Sequence, residues 1–186
     1  GRDHQVRLVR AAGRGQRRIP VRAPGEVAHA HDERRHLDLG RPGQSLDPVP
    51  VGAEKVVFGA YFNQGECCNA GSRLLVHADI ADEFTERVVE RAQDVSVGDP
   101  LDQATKVGAL ISEKHLGVVS GYVDLGRQEG ASVALGGDRL SSDRGRYYSP
   151  TVLAGVPKTA RVAREEIFGP VLSVVRFADL AEAVEI

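Results

Sequence analysis

Two spacings of apolar residues organise the chain from about Val51 to Ile186, and neither is present before Val51. Val56, Val57, Phe58, Ala60 and Tyr61 form a dense apolar run that predicts the last turns of a helix. Arg73 to His77 is a short apolar stretch of the kind buried in a sheet. Asp79 then predicts an N-cap, with Asp82 and Glu83 in the first turn where the helix dipole favours negative charge. Ile80, Phe84, Val88, Ala92 and Val95 follow at helical spacing, and Gly98-Asp99-Pro100 predicts the stop. Ser112 with Glu113 opens a second helix whose apolar face is Leu116, Val119, Tyr122, Val123 and Leu125. Gly130 is its expected C-terminal stop, and Gly117, Gly121 and Gly126 make it dependent on packing. Ser132 to Leu135 predicts a strand ended by Gly136-Gly137, and the polar run Ser141 to Arg146 a surface loop. Tyr148 to Val156 and Ile167 to Phe177 predict two more strands, the second interrupted by Gly169-Pro170. Asp179, with Glu182 three residues on, has the form of a capping box ahead of a last helix containing Leu180 and Val184. Strands alternating with helices predict an α/β fold, a largely parallel sheet flanked by helices.

Residues 1–50 differ in kind. Ten arginines occur there without one lysine, no aromatic residue precedes Phe58, and Gly and Pro interrupt every period. So few apolar side chains cannot offset the entropy of ordering, so this segment is expected to be poorly structured and the folded domain to span 51–186. A basic arm for nucleic acid is one reading of the arginines, but interleaved aromatics are missing and the whole chain carries a net charge of −2. His29, His31 and His36 invite a metal, yet nothing completes a ligand set, so no metal site is expected. Arg-, Gly-, Pro- and His-rich sequence is also what GC-rich coding sequence yields when read out of frame, and that reading suits the segment best. A start at Gly1, the lack of Met and Trp, and an end inside a predicted helix suggest a fragment. No apolar run approaches the length of a membrane span and no export pattern opens the chain, so a cytoplasmic protein without membrane or nucleic-acid partners is expected. The only two cysteines, Cys67 and Cys68, are adjacent and cannot staple a fold, which also points to a reducing compartment.

Candidate chemistry concentrates around those cysteines. Gly65 permits a tight turn just ahead of them, so the stretch Phe62-Asn63-Gln64-Gly65-Glu66-Cys67-Cys68-Asn69-Ala70-Gly71-Ser72-Arg73 would carry a thiol on a fixed connection. Alone, a Cys-Cys pair is more often a packed hydrophobe than a nucleophile. The pattern Phe-x-x-Gly-Glu-x-Cys-x-Ala-x-x-Arg, however, resembles the active-site cysteine signature of the aldehyde dehydrogenase superfamily. Glu165-Glu166-Ile167-Phe168-Gly169-Pro170-Val171 resembles a second signature of the same superfamily, in the expected order and at about the expected distance. The resemblance extends from about Val56 to Ile186 and implies most of an aldehyde-dehydrogenase-like catalytic domain.

It also implies a chemistry. An aldehyde cannot readily release hydride until a nucleophile has made its carbon tetrahedral; a thiolate does this and leaves a thioester for water to hydrolyse. An ordinary thiol ionises near pH ~8.5, so a base or a lowered pKa must assist. The resemblance maps the nucleophile to Cys68, with its backbone N–H toward the developing oxyanion. It maps Glu166 to the nicotinamide ribose of NAD or NADP, and Phe168 to the edge of the ring. Cys67 is then a packed neighbour, Gly65 and Glu66 shape the loop, and Arg73 is a scaffold contact. His77 and His115 receive no role.

Several family features are missing. The general-base motif Leu-Glu-Leu-Gly-Gly has only Leu37-Asp38-Leu39-Gly40-Arg41 as counterpart, so Asp38 is a weak candidate base. The residues that bind the dinucleotide's adenosine and phosphates have no counterpart, and Glu66 stands where Gln is more usual. The expectation is an NAD(P)-dependent oxidation of a small-molecule aldehyde, impaired or absent in a truncated chain of a typically homo-oligomeric family. The alternative is a non-catalytic fragment that serves as a protein-interaction module through an exposed sheet edge.

Overall fold

A computed structural model describes residues 48–142 and 145–186. The arginine-rich segment, His29, His31, His36 and Asp38 lie outside the described residues, as do Asp143 and Arg144 of the predicted loop. In chain order the elements are helix α1 (Pro48–Tyr61), strand β1 (Arg73–His77), α2 (Ala81–Gln93), α3 (Glu113–Gln128), β2 (Ser132–Leu135), β3 (Arg139–Leu140), β4 (Tyr147–Tyr148), β5 (Thr151–Ala154), the single turn α4 (Arg161–Arg164), β6 (Val171–Phe177) and α5 (Leu180–Glu185).

The main sheet has the order β1-β6-β5-β2. Strand β6 runs parallel to both neighbours, from Arg73↔Ser173 to His77↔Phe177 on one side and from Thr151↔Val171 to Leu153↔Ser173 on the other. Only β2 is antiparallel, along β5. The sheet is therefore largely parallel, with helices on both faces.

Strand β6 explains why. Its residues Val171 to Val175 are all buried, the continuous apolar run expected of a strand covered on both sides. Val171 and Val175 belong to the core beneath α3, with Leu116, Val119, Val123 and Leu153, whereas Leu172 and Val174 belong to the core beneath α1 and α2, with Ala60, Val88 and Val152. The two-residue period of the strand splits its side chains between the layers. The buried hydroxyls are bonded: Ser173 Oγ donates to the Val162 carbonyl at 2.9 Å, and Thr151 Oγ1 accepts from Gly137 N–H at 2.9 Å.

Local signals hold at several ends. Ser112 caps α3 by accepting from His115 N–H at 3.1 Å, and Asp179 caps α5 by accepting from Glu182 N–H at 2.9 Å. Gly130 takes φ +101°, as a stop beyond α3 requires. Other expectations fail. Asp79 caps nothing: α2 starts at Ala81 after a turn, the residue before it is Ile80 with no side-chain bond, and Asp79 N–H instead donates to His77 Nδ1 at 3.3 Å. Ile80, expected on the core face, is 45 % exposed. The helix stops at Gln93, ahead of Gly98, because Val97 forms an isolated parallel bridge with Val107. The strand predicted over Tyr148–Val156 is two, since Tyr147–Tyr148 pairs with Arg139–Leu140 in a separate hairpin. The strand predicted from Ile167 begins only at Val171, because Phe168 takes φ +57°.

The turn α4 is tied to α3 through Glu165. Arg161 makes two hydrogen bonds to Glu165, Nε to Oε1 at 2.7 Å and a terminal nitrogen to Oε2 at 2.8 Å, and Tyr122 Oη donates to Glu165 Oε2 at 2.8 Å. Arg161 first, then Tyr122, hold the Glu165 carboxyl down to about 2 from its ordinary 4.5.

Two predictions come from this architecture. Because the folded carboxyl titrates lower than the unfolded one, the clamp's contribution is complete above pH 4.5 and lost as pH falls toward 2. An NMR titration should therefore find Glu165 depressed, and Tyr122→Phe or Arg161→Ala should raise it toward the ordinary value. The second concerns Gly65, at φ +71°, where an added Cβ would lie 2.2 Å from the Gly169 carbonyl oxygen. Gly65→Ala combines a left-handed penalty of about 1–2 kcal/mol with that overlap, for an expected loss above ~3 kcal/mol in urea unfolding. Gly59→Ala, where nothing lies within 4 Å, should instead stabilise α1 by ~0.5–1 kcal/mol.

Candidate active site

The thiol loop leaves α1 through an unusual turn. Asn63, Gln64 and Gly65 take φ of 50°, 59° and 71°, three successive residues in the left-handed region. Each non-glycine there costs on the order of 1–2 kcal/mol, so the conformation persists only where its surroundings dictate it. They do so with named bonds. Glu66 N–H donates to the Asn63 carbonyl at 2.9 Å, and Asn63 Nδ2 donates to the Glu66 carbonyl at 3.1 Å. Gln64 Oε1 accepts from Gly108 N–H at 3.2 Å, tying the turn to the segment between α2 and α3. Glu66 Oε1 accepts from Ile111 N–H at 3.3 Å in the same segment.

Past the turn, Cys67 is half-buried and Cys68 exposed, both as free thiols. Neither sulfur has a hydrogen-bond partner, and the Cys68 N–H is likewise uncommitted, among the described residues. Ala70 N–H closes the loop onto the Cys67 carbonyl at 3.0 Å, and Gly71 N–H donates back to the Gly59 carbonyl of α1 at 3.0 Å. Arg73 is a scaffold contact, donating to the carbonyls of Ala163 at 3.1 Å and Ile186 at 3.2 Å.

The second motif lies against this loop. Gly65 approaches the Gly169 carbonyl so closely that it has no room for a side chain, and a Cβ on Gly169 would sit 2.5 Å from Val119 Cγ2 of α3. Val171 N–H bonds the Gly169 carbonyl at 2.7 Å, and Thr151 N–H takes the Pro170 carbonyl at 2.9 Å, so the turn is anchored to the sheet. Glu166 is exposed and, unlike the clamped Glu165, has no side-chain partner among the described residues. Phe168 is half-buried rather than part of either core cluster.

His115, which sequence reasoning left without a role, stands between the two motifs. Its Nε2 is 2.6 Å from the Phe168 carbonyl oxygen and 3.5 Å from Glu66 Oε1, and its ring meets Phe168 edge-on at 6.2 Å. A carbonyl only accepts, so Nε2 carries the hydrogen. Spacing alone offered one clue: His115 precedes Val119 by four residues, which places it on the buried stripe of α3. Phe58 and Phe62, 66 % and 57 % exposed, stack on one another at 5.3 Å beside the start of the loop. Two shallow hollows, one on α2 at Arg87 to Asp94 and one along α3 at Gly117 and Gly121, include neither cysteine. No group of three or more metal-ligating side chains and no membrane-spanning helix occurs among the described residues.

Comparison with known proteins matches this arrangement to a family. The model of the aldehyde dehydrogenase family matches residues 49–186. The human mitochondrial aldehyde dehydrogenase is 44 % identical over 131 residues, covering 70 % of this chain and 25 % of its own. The betaine aldehyde dehydrogenase of Brucella ovis is 38 % identical over 170 residues, covering 85 % and 34 %. The crystal structure of an NAD-dependent aldehyde dehydrogenase from Sinorhizobium meliloti superposes with a TM-score of 0.71 at 47 % identity, covering 74 % of this chain and 27 % of that one. The chain thus spans between a quarter and about a third of these relatives' lengths, and the family model's match takes in both motifs. On these grounds the chain belongs to the aldehyde dehydrogenase family.

Proposed function

We propose that this chain carries the thiol half of an NAD(P)-dependent aldehyde oxidation, with Cys68 as the nucleophile and Glu166 and Phe168 at the nicotinamide. The observation that carries the reading is the Gly65–Gly169 contact, which brings the cysteine loop and the Glu166–Phe168 turn into one assembly although they are far apart in sequence.

The available groups suit the chemistry. Cys68 is exposed and unencumbered, as an attacking sulfur must be, whereas Cys67 is half-buried. The Cys68 thiolate adds to the aldehyde carbon, the carbonyl π electrons move to oxygen, and the Cys68 N–H, which bonds nothing else among the described residues, donates to that oxyanion. Collapse of the adduct expels hydride and leaves a thioester on Cys68; water then attacks the thioester and releases the acid and the thiolate. NAD or NADP, when bound, supplies the hydride acceptor. Glu166 fits a ribose diol, being an exposed carboxylate that no cation of the described chain neutralises, and Phe168 offers an apolar edge beside it. The NAD-dependent Sinorhizobium relative supports NAD as the dinucleotide. The polar pair Glu165 and Glu166 divides its labour: Arg161 and Tyr122 consume the first, and the second stays available.

An activated nitrophenyl ester tests the nucleophile without any dinucleotide. The expected result is a burst of nitrophenol stoichiometric with chain, abolished in Cys68→Ala and retained in Cys67→Ala. A burst that survives Cys68→Ala overturns the assignment.

A further inference from the structure

We infer that His115 is a positioning residue of this site, holding the thiol loop and the Phe168 turn in register by donating its Nε2–H to the Phe168 carbonyl while its ring stands against the Glu66 carboxylate. The inference rests on the reading of Cys68 as nucleophile, but the contact itself does not.

Three observations carry it. The imidazole Nε2–H donates to the Phe168 carbonyl at 2.6 Å, and Phe168 is one of three non-glycine residues with positive φ among the described residues. The same nitrogen faces Glu66 Oε1 at 3.5 Å, and Glu66 follows the other two, Asn63 and Gln64, across Gly65. One ring therefore touches both strained segments. Their side chains are largely shielded, 19 % exposed for His115 and 11 % for Glu66, so water competes weakly for these contacts. The ring is itself fixed: Ser112 caps α3 through the His115 N–H, which sets where the first turn begins, and the edge-on Phe168 ring limits rotation. The Glu66 oxygen that faces the imidazole, Oε1, also accepts from the Ile111 N–H at 3.3 Å, which ties it to the segment before α3.

A residue that only filled space here could be replaced by any side chain of similar bulk. A positioning residue needs a hydrogen-bond donor at this place, and glutamine supplies one. Amide hydrogen exchange of the whole chain, followed by mass spectrometry, reads the two segments 62–70 and 165–171 separately, while iodoacetamide labelling reads Cys68 against Cys67. His115→Ala should accelerate exchange in both segments by about tenfold, the worth of one ordinary hydrogen bond, and leave β5 and β6 unchanged. The preference for labelling Cys68 over Cys67 should fall toward one in the same variant. His115→Gln should restore both readouts; His115→Leu, of comparable bulk without a donor, should not. If His115→Ala does not fold, the contrast between Gln and Leu decides alone. Acceleration in one segment only, in neither, or equal behaviour of Gln and Leu overturns the inference. An unsubstituted chain that labels Cys67 faster than Cys68 refutes the nucleophile, while the exchange data still decide the role of His115.

Discussion

Backbone touching backbone at Gly65 and Gly169 is the constraint on which the site depends. Neither contact is hydrophobic in the usual sense, and neither residue contributes chemistry. The lack of a side chain at Gly65 lets the thiol loop lie against the turn at Gly169, about a hundred residues on in sequence, at a distance that a Cβ there would forbid. Val119 of α3 closes the sandwich from behind Gly169, so the helix that covers one face of the sheet also sets the depth at which the two motifs meet. Strain is concentrated where they join, in Asn63, Gln64 and Phe168, and the bonds from Gly108, Ile111 and His115 offset it. Local strain of this kind is stable only when several independent elements dictate it, and here α1, α3 and the segment before α3 all do.

The rest of the fold holds those elements still. Strand β6 is buried on both faces and parallel to both neighbours, so the turn that precedes it inherits the rigidity of the sheet's centre. Strand β1 follows the thiol loop directly and pairs with β6 along its whole length. The two motifs are therefore the lead-in segments of adjacent parallel strands, and parallel strands bring like ends together. A site at that common end is a consequence of topology before it is one of chemistry.

How much of this was legible in the sequence depended on the reach of the interaction. Ser112, Gly130 and Asp179 act on backbone groups within a few residues, and their roles could be read from local composition. Asp79 has the same chemistry but lies one residue ahead of the N-cap position, Ile80, in the turn that separates β1 from α2, where its N–H donates to His77. Ile167 is buried, which makes the apolar run look like one long strand, but the left-handed Phe168 breaks it. The two motifs that carry Cys68, Glu166 and Phe168 were legible by resemblance to the aldehyde dehydrogenases, and their adjacency was not. His115 escaped notice because its partners lie about fifty residues away on both sides, beyond the range over which periodicity carries information. Four-residue α4 is too short for a period to register, and its Arg161–Glu165 clamp shows only in three dimensions.

Parallel pairing of β1 with β6 also sets an order of events during synthesis. The cysteine loop leaves the ribosome before the glycine it must meet, which follows roughly a hundred residues later, a separation that makes closure slow. Until then the left-handed turn has no abutment, the apolar side chains beneath α1 have no strand to cover, and the thiols stand open to oxidants. The left-handed turn therefore completes its packing only after the segment around Gly169 has been made.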